Sequence, residues 1–136
     1  MANNNRGKKI LEKTFKTKKL PKKYDYLAPD NSEIRNLLNM TGGGLAHCKL
    51  PSNSVSSAVK HKKVEELWYF IKGSGEFWRK LEQQENITKV ESGVCISIPP
   101  NTSFQFRTFE KPLEAIITTI PPWPGPEEAI KVKGRW

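Results

Sequence analysis

Beyond residue 44 the sequence consists of short apolar segments separated by closely spaced turn signals. Valine, isoleucine, threonine and aromatic residues fill the segments, and these residue types favour β-strands. Glycine, proline, asparagine and serine lie between them, as is usual for turns. Many short strands at this spacing are typical of an all-β sandwich or barrel, not of a βαβ fold. The predicted strands are residues 45–50, 55–61, 66–72, 75–82, 86–90, 94–98, 103–109 and 113–120.

Residues 32–40, which precede this series, have an ambiguous pattern. The spacing of Ile34, Leu37 and Leu38 fits one face of a short helix. Ile34 and Leu38 also occupy alternate positions of a strand. The pattern alone therefore leaves both a helix and a strand open for this segment.

The end of the chain is rich in proline between residues 121 and 126. Proline has no amide donor, so this stretch cannot be a central strand of a sheet. We expect it to pack over the barrel through Trp123, and we expect Trp136 to do the same.

Length and composition narrow the class of protein. The 136 residues are typical of one domain. No run of about 18 apolar residues is present, so no transmembrane segment is predicted, and the N-terminus lacks the apolar core of a secretory signal. The two cysteines, Cys48 and Cys95, lie in apolar segments. We interpret them as buried, reduced thiols, which predicts a cytoplasmic location.

Positive charge is concentrated at the N-terminus. Residues 1–23 contain nine basic residues and one acidic residue, which gives +8 of the formal net charge of +9. Residues 24–136 are close to neutral, which predicts a flexible basic arm (1–23) and a β-barrel domain with a proline-rich C-terminal segment (24–136). Residues 6–23 could contact nucleic acid or an anionic surface. No aromatic stacking platform accompanies the charge, so a solvated arm is the favoured interpretation.

Two segments carry a regular spacing of histidine, glutamate, glycine and proline. They are His61-Lys-Lys-Val-Glu-Glu66-Leu-Trp-Tyr-Phe-Ile-Lys-Gly73 and Gly93-Val-Cys-Ile-Ser-Ile-Pro99-Pro-Asn-Thr-Ser-Phe-Gln-Phe-Arg-Thr108. This spacing resembles the two sequence motifs of the cupin superfamily, and the chain is similar to small single-domain cupins of the type-2 kind. The resemblance covers residues 45–120 well. It implies a double-stranded β-helix, or jelly-roll barrel, with a small-molecule site inside and a frequent tendency to form a homodimer.

The sequence departs from the family at the positions that hold a metal ion. In metal-binding cupins, two histidines and a glutamate of the first motif and one histidine of the second hold a divalent ion. The matching residues here are Val59, His61, Glu66 and Phe104. Valine and phenylalanine cannot ligate a metal, and a two-ligand site is weak. We therefore assign no cofactor and leave a divalent metal ion as the alternative. Asn101 replaces a motif glycine, and asparagine tolerates a positive φ angle.

Strand alternation predicts which side chains share the barrel interior. If His61 and Glu66 point inward, so do Val59, Trp68, Phe70, Phe104 and Phe106. The residues between them then face the other way, namely Leu67, Tyr69, Ile71, Gln105 and Arg107. The predicted interior is an apolar, aromatic box with one histidine and one carboxylate. It either accepts an apolar or aromatic small molecule or is a filled core around a buried histidine–glutamate pair.

His47 is the other titratable candidate, on the first predicted strand. If it turns inward, the set of His47, His61 and Glu66 is similar to the two-histidine, one-carboxylate geometry of non-haem iron sites. The sequence does not fix the direction of that side chain, so a satisfied structural histidine is the alternative.

Three functional hypotheses follow. The first is a cupin that binds a small organic ligand in the apolar cavity, as an enzyme of isomerase, lyase or oxygenase type in which His61 and Glu66 are a general acid–base pair. The second is a metal-dependent cupin that uses His47, His61 and Glu66. The third is a non-catalytic binding or regulatory module whose basic arm recruits an acidic partner.

Overall fold

A computed structural model describes residues 14–136, and the predictions for residues 1–13 of the basic arm lie outside the described residues. The described chain is nearly all β, as predicted. Its strands are β1 (Tyr26–Leu27), β2 (Glu33–Asn39), β3 (Gly44–Leu50), β4 (Val59–His61), β5 (Glu65–Lys72), β6 (Ser74–Leu81), β7 (Gln84–Glu91), β8 (Cys95–Ile98), β9 (Ser103–Thr108), β10 (Leu113–Ile120) and β11 (Ala129–Lys131). A 3₁₀ turn, Pro126–Glu128, precedes β11. Across residues 14–136, no helix has the length and apolar character needed to cross a membrane.

The strands form two antiparallel sheets that face each other. The six-stranded sheet has the order β1-β2-β3-β10-β5-β8, and the five-stranded sheet has the order β11-β4-β9-β6-β7. From β3 onward successive strands alternate between the sheets, except for the β6–β7 hairpin within the five-stranded sheet, in the manner of a double-stranded β-helix. The fold class predicted from the sequence is therefore confirmed. This arrangement places the first-motif strands β4 and β5 on opposite sides of the barrel interior.

Seven of the eight predicted strands lie within two residues of their predicted bounds, and the eighth is shorter. The segment predicted at 55–61 pairs continuously only from Val59. Before it, Ser56 Oγ accepts a hydrogen bond from the Phe106 amide, and the Ser57 amide donates to the carbonyl of Asp30. The backbone groups here bond to a side chain and to a loop carbonyl instead of forming a regular strand ladder. The segment before Val59 is therefore an irregular connection.

The ambiguous segment 32–40 is the strand β2. It pairs with β3, and Ile34 lies opposite Cys48 with both side chains buried. Leu38 is partly exposed. Pairing with a neighbouring strand, which the local pattern does not encode, decides between the two periodicities.

The core is an aromatic cluster between the sheets. Trp68 and Phe70 of β5, Phe77 of β6, and Phe104 and Phe106 of β9 are almost completely buried. Phe77 stacks on Phe104 and Phe106 with ring centroids 5.7 and 5.2 Å apart. Each such side chain contributes about 1.5–3 kcal/mol by leaving water. The predicted inward set of β5 and β9 is therefore confirmed.

The outward set is confirmed in direction, with one difference in burial. Leu67, Tyr69 and Ile71 are exposed. Gln105 also points away from the aromatic core, but it is only 4% exposed. Its Nε2 donates to the carbonyls of Ser56 and Trp136, and its Oε1 accepts from the Trp136 amide at 2.9 Å. The C-terminus therefore packs on the outer face of the five-stranded sheet and buries Gln105.

Two turns fix the register of the motif strands. Asn101 has a φ of 66°, so asparagine fills the left-handed position of the motif glycine. Gly73 has a φ of 83°, and a Cβ atom there would overlap the carbonyl oxygen of Pro112. Both turns deliver the following strand with its aromatic residues on the core side.

The described part of the predicted arm is tied to the domain near its end. The Arg35 guanidinium donates to the carbonyls of Pro21 and Lys22 at 3.0 and 2.9 Å. The predicted boundary between residues 23 and 24 stays a prediction.

Of the two cysteines, Cys48 is buried and Cys95 is exposed, and both are free thiols. The prediction that Cys95 is buried was wrong, because it lies on the outward phase of β8.

Candidate functional site

A cavity of about 730 Å³ opens between the two sheets at one end of the barrel. Strands of both sheets line it, namely β1, β2, β3, β5 and β10 of one sheet and β4, β9 and β11 of the other, together with the segment that follows β10. Its polar groups include Asp30, His61 and Glu66. Trp68, Phe104 and Trp123 supply aromatic wall. The barrel interior is therefore filled by aromatic rings on one side and open to a ligand on the other.

His61 and Glu66 lie side by side in the wall of this cavity. His61 ends β4 and Glu66 lies on β5, and each is 6% exposed. The distance between His61 Nδ1 and Glu66 Oε1 is 3.5 Å. Trp68 Nε1 donates a hydrogen bond to Glu66 Oε1 at 3.2 Å, whereas His61 Nδ1 is buried without a hydrogen-bond partner. Buried polar atoms are usually paired, so the bare Nδ1 is a free acceptor or donor at the cavity.

Aromatic rings hold the imidazole in place. The His61 ring lies edge-on to Phe104 and to Trp123, with ring centroids 5.3 and 4.9 Å away. The expectation that Trp123 packs over the barrel is therefore met, and its ring also forms part of the cavity wall. Trp136 instead packs on the outer face of the five-stranded sheet, where the Arg107 guanidinium lies 4.2 Å from its ring centroid.

Burial shifts the two titratable groups in opposite directions. Desolvation raises the pKa of Glu66 from 4.5 to about 8, a rise that the hydrogen bond from Trp68 opposes and the charge of Asp30 reinforces. Desolvation lowers the pKa of His61 from 6.5 to about 4, and the negative charge of Glu128 opposes this decrease. Burial disfavours the charged form of both groups. At neutral pH the site therefore contains a protonated carboxyl group beside an unprotonated imidazole.

Asp30 is a cavity residue that sequence reasoning missed. Its side chain lines the cavity and is only 5% exposed. Asp30 Oδ1 accepts from the amide and hydroxyl of Ser32 at 2.9 and 2.5 Å. Burial raises the pKa of Asp30, against the hydrogen bonds from Ser32. An aspartate two residues before a serine signals a local hydrogen-bonded turn, but no local pattern indicates that this turn closes the barrel.

The aromatic residues predicted for the ligand pocket divide into two groups. Trp68 and Phe104 line the cavity. Val59, Phe70 and Phe106 are buried but lie in the packed core instead of on the cavity wall. Their inward direction was predicted correctly, and their place as pocket residues was not, because neighbouring rings fill the space around them.

His47 lies on the opposite face of the six-stranded sheet from the cavity. Its Nε2 is 2.8 Å from Glu114 Oε1, and the histidine is almost completely buried. Its neighbour Ala46 faces the cavity instead. The proposed set of His47, His61 and Glu66 is therefore not formed, because His47 occupies the outward phase of β3.

The side chains present do not fit the metal centre of the family. Val59 and Phe104 fill two of the four ligand positions with buried apolar groups. Within residues 14–136, no three histidine, cysteine, aspartate or glutamate side chains come together as ligands for one ion. A stable site needs three or four such ligands. The described residues of the cavity therefore form no metal centre of that kind.

The sequence is similar to that of one curated protein over most of its length. No protein-family model matches the chain. Over 104 residues it is 32% identical to the uncharacterized protein MJ1618 of Methanocaldococcus jannaschii, and the match covers 72% of this chain and 80% of that protein.

Solved structures share the fold at low sequence identity. An uncharacterized conserved protein with a double-stranded β-helix domain from Klebsiella pneumoniae matches with a TM-score of 0.63 and 13% identity, over 81% of this chain and 93% of its own. Oxalate decarboxylase from Bacillus subtilis matches with a TM-score of 0.68 and 15% identity, over 86% of this chain and 30% of its own. DMSP lyase DddQ from Ruegeria pomeroyi matches with a TM-score of 0.53 and 17% identity, over 60% and 39%. This chain spans less than half of the last two proteins. The chain belongs to the same family as the M. jannaschii protein, and its domain has the fold of a small cupin, with altered residues at the metal-ligand positions.

Proposed function

We propose that the protein binds a small organic molecule in the barrel cavity and that Glu66 and His61 exchange protons with it. One observation carries the proposal. Two buried titratable groups, 3.5 Å apart at an open cavity, have pKa values displaced in opposite directions. Such displaced pairs are typical of acid–base sites, where the environment assigns one group as acid and the other as base.

The geometry supports a division of roles. Glu66 carries a proton at neutral pH and donates it to an electronegative atom of the ligand. His61 Nδ1 has no hydrogen-bond partner among residues 14–136 and accepts a proton from the ligand. Once both protons have moved, a carboxylate lies 3.5 Å from an imidazolium, and their attraction in a low-dielectric cavity stabilises the charged state. Paired proton transfers of this kind serve isomerisation and elimination reactions.

The protonation state of Glu66 is the first property to test. We expect infrared difference spectra near neutral pH to contain the stretching band of a protonated carboxyl group, and the band to disappear with a midpoint near pH 8. Glu66→Gln should remove the band. Glu65→Gln is the matched control, because Glu65 is the adjacent but exposed carboxylate of the same strand. Absence of the band in the wild type, or its persistence in Glu66→Gln, would overturn the acid role.

A non-catalytic binding module would bind the same ligand in the cavity as an enzyme but would not convert it. If a ligand binds in the cavity and Glu66 is protonated, but no ligand is converted or exchanges protons, the protein is a binding module. Substitution of His61 or Glu66 then changes affinity only.

We also propose a homodimer, which the outer face of the six-stranded sheet supports. Leu45, Thr118 and Leu67 lie in register across β3, β10 and β5, and the two leucines are 39% and 48% exposed. Tyr69 and Ile120 extend this apolar surface, and exposed apolar surface of this kind is typical of protein contacts. Sedimentation should give twice the chain mass for the wild type and the monomer mass for Leu67→Glu. A monomeric wild type would exclude the dimer.

A cytoplasmic location is proposed on the two cysteines. Cys48 and Cys95 are unpaired, and one of them is exposed. Free thiols persist in reducing compartments. Localisation of a tagged full-length chain tests this directly, and recovery outside the cytoplasm would refute it.

A further inference from the structure

The charges around the cavity disfavour an anionic ligand. Asp30 lines it beside Glu66, which is uncharged while protonated, and Lys131 is the only lysine or arginine among the described lining residues. Lys131 lies at the exposed rim, with Nζ 3.4 Å from Ser57 Oγ, and its charge acts on Asp30. A buried carboxylate or phosphate needs a paired cation or several donors. The described cavity wall offers such a ligand no arginine and no free buried lysine.

A third carboxyl group adds negative charge behind the imidazole. Glu128 is 7% exposed, and its Oε2 accepts from the amides of Lys63 and Val64 at 2.9 and 3.1 Å. Although burial opposes the change, these bonds lower the pKa of Glu128. Glu128 is thus ionised at neutral pH and acts on His61 through space.

The free polar atoms specify an uncharged ligand with two features. A protonated Glu66 donates a hydrogen bond, which a carbonyl oxygen accepts. The unpartnered, buried Nδ1 of His61 lies beside it and accepts a proton. Trp68, Phe104 and Trp123 supply apolar and aromatic surface around the pair. A ligand that fits has a carbonyl group, an acidic hydrogen on the adjacent carbon and an apolar or aromatic body.

We propose that the substrate class of this cavity is an uncharged ketone or aldehyde with an apolar or aromatic body, and that the His61–Glu66 pair enolises it. The inference rests on the proposed function of the same pair. His61 Nδ1 removes a proton from the carbon next to the carbonyl, the C–H electron pair forms a C=C bond, and the C=O π electrons move to oxygen. That oxygen takes the Glu66 proton. The products are the enol, an imidazolium and a carboxylate, so charge and protons balance without an oxidant, a reductant or another reactant. Reversal of the transfers regenerates the carbonyl compound, and a proton delivered to the opposite face of the same carbon inverts its configuration.

Exchange of hydrogen for deuterium tests the chemistry directly. Phenylacetone serves as the uncharged probe, phenylacetate as the anionic one and phenethylamine as the cationic one, because all three share a benzyl group. In D₂O at neutral pH, nuclear magnetic resonance should report loss of the protons next to the carbonyl of phenylacetone faster than in buffer. Glu66→Gln and His61→Gln should each lower the catalysed rate by ~100-fold or more, the usual effect of one acid or base. Glu65→Gln should leave the rate unchanged.

Binding is measured separately, by tryptophan fluorescence, since Trp68 and Trp123 line the cavity. Tighter binding of phenylacetate or phenethylamine than of phenylacetone would overturn the substrate class and leave the proton-exchange pair intact. Binding of phenylacetone with no exchange above that of Glu66→Gln would overturn enolisation. If none of the probes binds at millimolar concentration, the substrate class is refuted. The proposed function then depends on the infrared band alone, so the two failures are distinguishable.

Discussion

Replacing Glu66 with glutamine should reverse the way stability depends on pH. Glutamine keeps an oxygen that accepts from Trp68 Nε1, and its amide occupies the place of the protonated acid. It cannot ionise. Each pKa unit corresponds to about 1.4 kcal/mol. A carboxyl whose pKa rises from 4.5 to about 8 on folding therefore loses about 5 kcal/mol of stability as the pH rises through that range.

The sign follows from the protons bound by each state. Between pH 4.5 and about 8 the unfolded chain has released the Glu66 proton and the folded chain still holds it, so stability decreases with rising pH. His61 acts oppositely. Its pKa falls from 6.5 to about 4 on folding, so its contribution is complete above pH 6.5 and is lost as the pH falls. The two slopes cancel between about pH 4.5 and 6.5. Of these two groups only Glu66 contributes from there to pH 8, where about 2 kcal/mol should be lost.

Urea unfolding at a series of pH values measures these contributions. The free energy of unfolding of the wild type should be nearly constant from about pH 4.5 to 6.5 and then decrease by about 2 kcal/mol to pH 8. For Glu66→Gln it should be constant above pH 6.5 and decrease as the pH falls below that value. The difference between the two proteins should change by about 5 kcal/mol over the whole range, and any constant packing cost of the substitution cancels in it. Glu65→Gln should follow the wild type. Parallel curves for wild type and Glu66→Gln would refute a buried, protonated Glu66.

Three further outcomes are expected. Elemental analysis of the purified protein should find well under one transition-metal ion per chain, unchanged in His47→Ala; near-stoichiometric metal that disappears in His61→Ala would contradict the ligand count. His47→Ala should lower the free energy of unfolding by about 1–3 kcal/mol, because the Glu114 carboxylate loses the imidazole nitrogen 2.8 Å away. Phenylacetone binding should be unchanged in this variant, and a loss of binding would place His47 at the cavity. Deleting residues 1–20 should leave the melting temperature nearly unchanged, because residues 14–20 are exposed and the contacts of Arg35 begin at Pro21; a large decrease would make the arm part of the fold.

The fold could be predicted because its signals are local. Alternation along β5 separates Trp68 and Phe70 from Leu67 and Tyr69 within four residues, and the structure follows that alternation. Strands of two or three residues carry too little periodicity to be found, so β1 and β11 were missed. Gln105 shows the limit of alternation. Its direction is a local property, whereas its burial depends on a chain end 31 residues away.

The site could be predicted only in part, and the reason is physical. Motif spacing located His61 and Glu66, but the direction of His47 and the burial of Asp30 depend on strand pairing and on the closure of the barrel by a turn. The residues at the altered ligand positions explain why Glu66 is protonated. With Val59 and Phe104 in place of two ligands, the described residues form no metal centre whose positive charge would favour an ionised Glu66. The buried apolar side chains also keep water away from Glu66. A carboxyl group in such surroundings retains its proton. The substitutions that weaken a metal site therefore create the conditions for proton transfer by the two residues that remain.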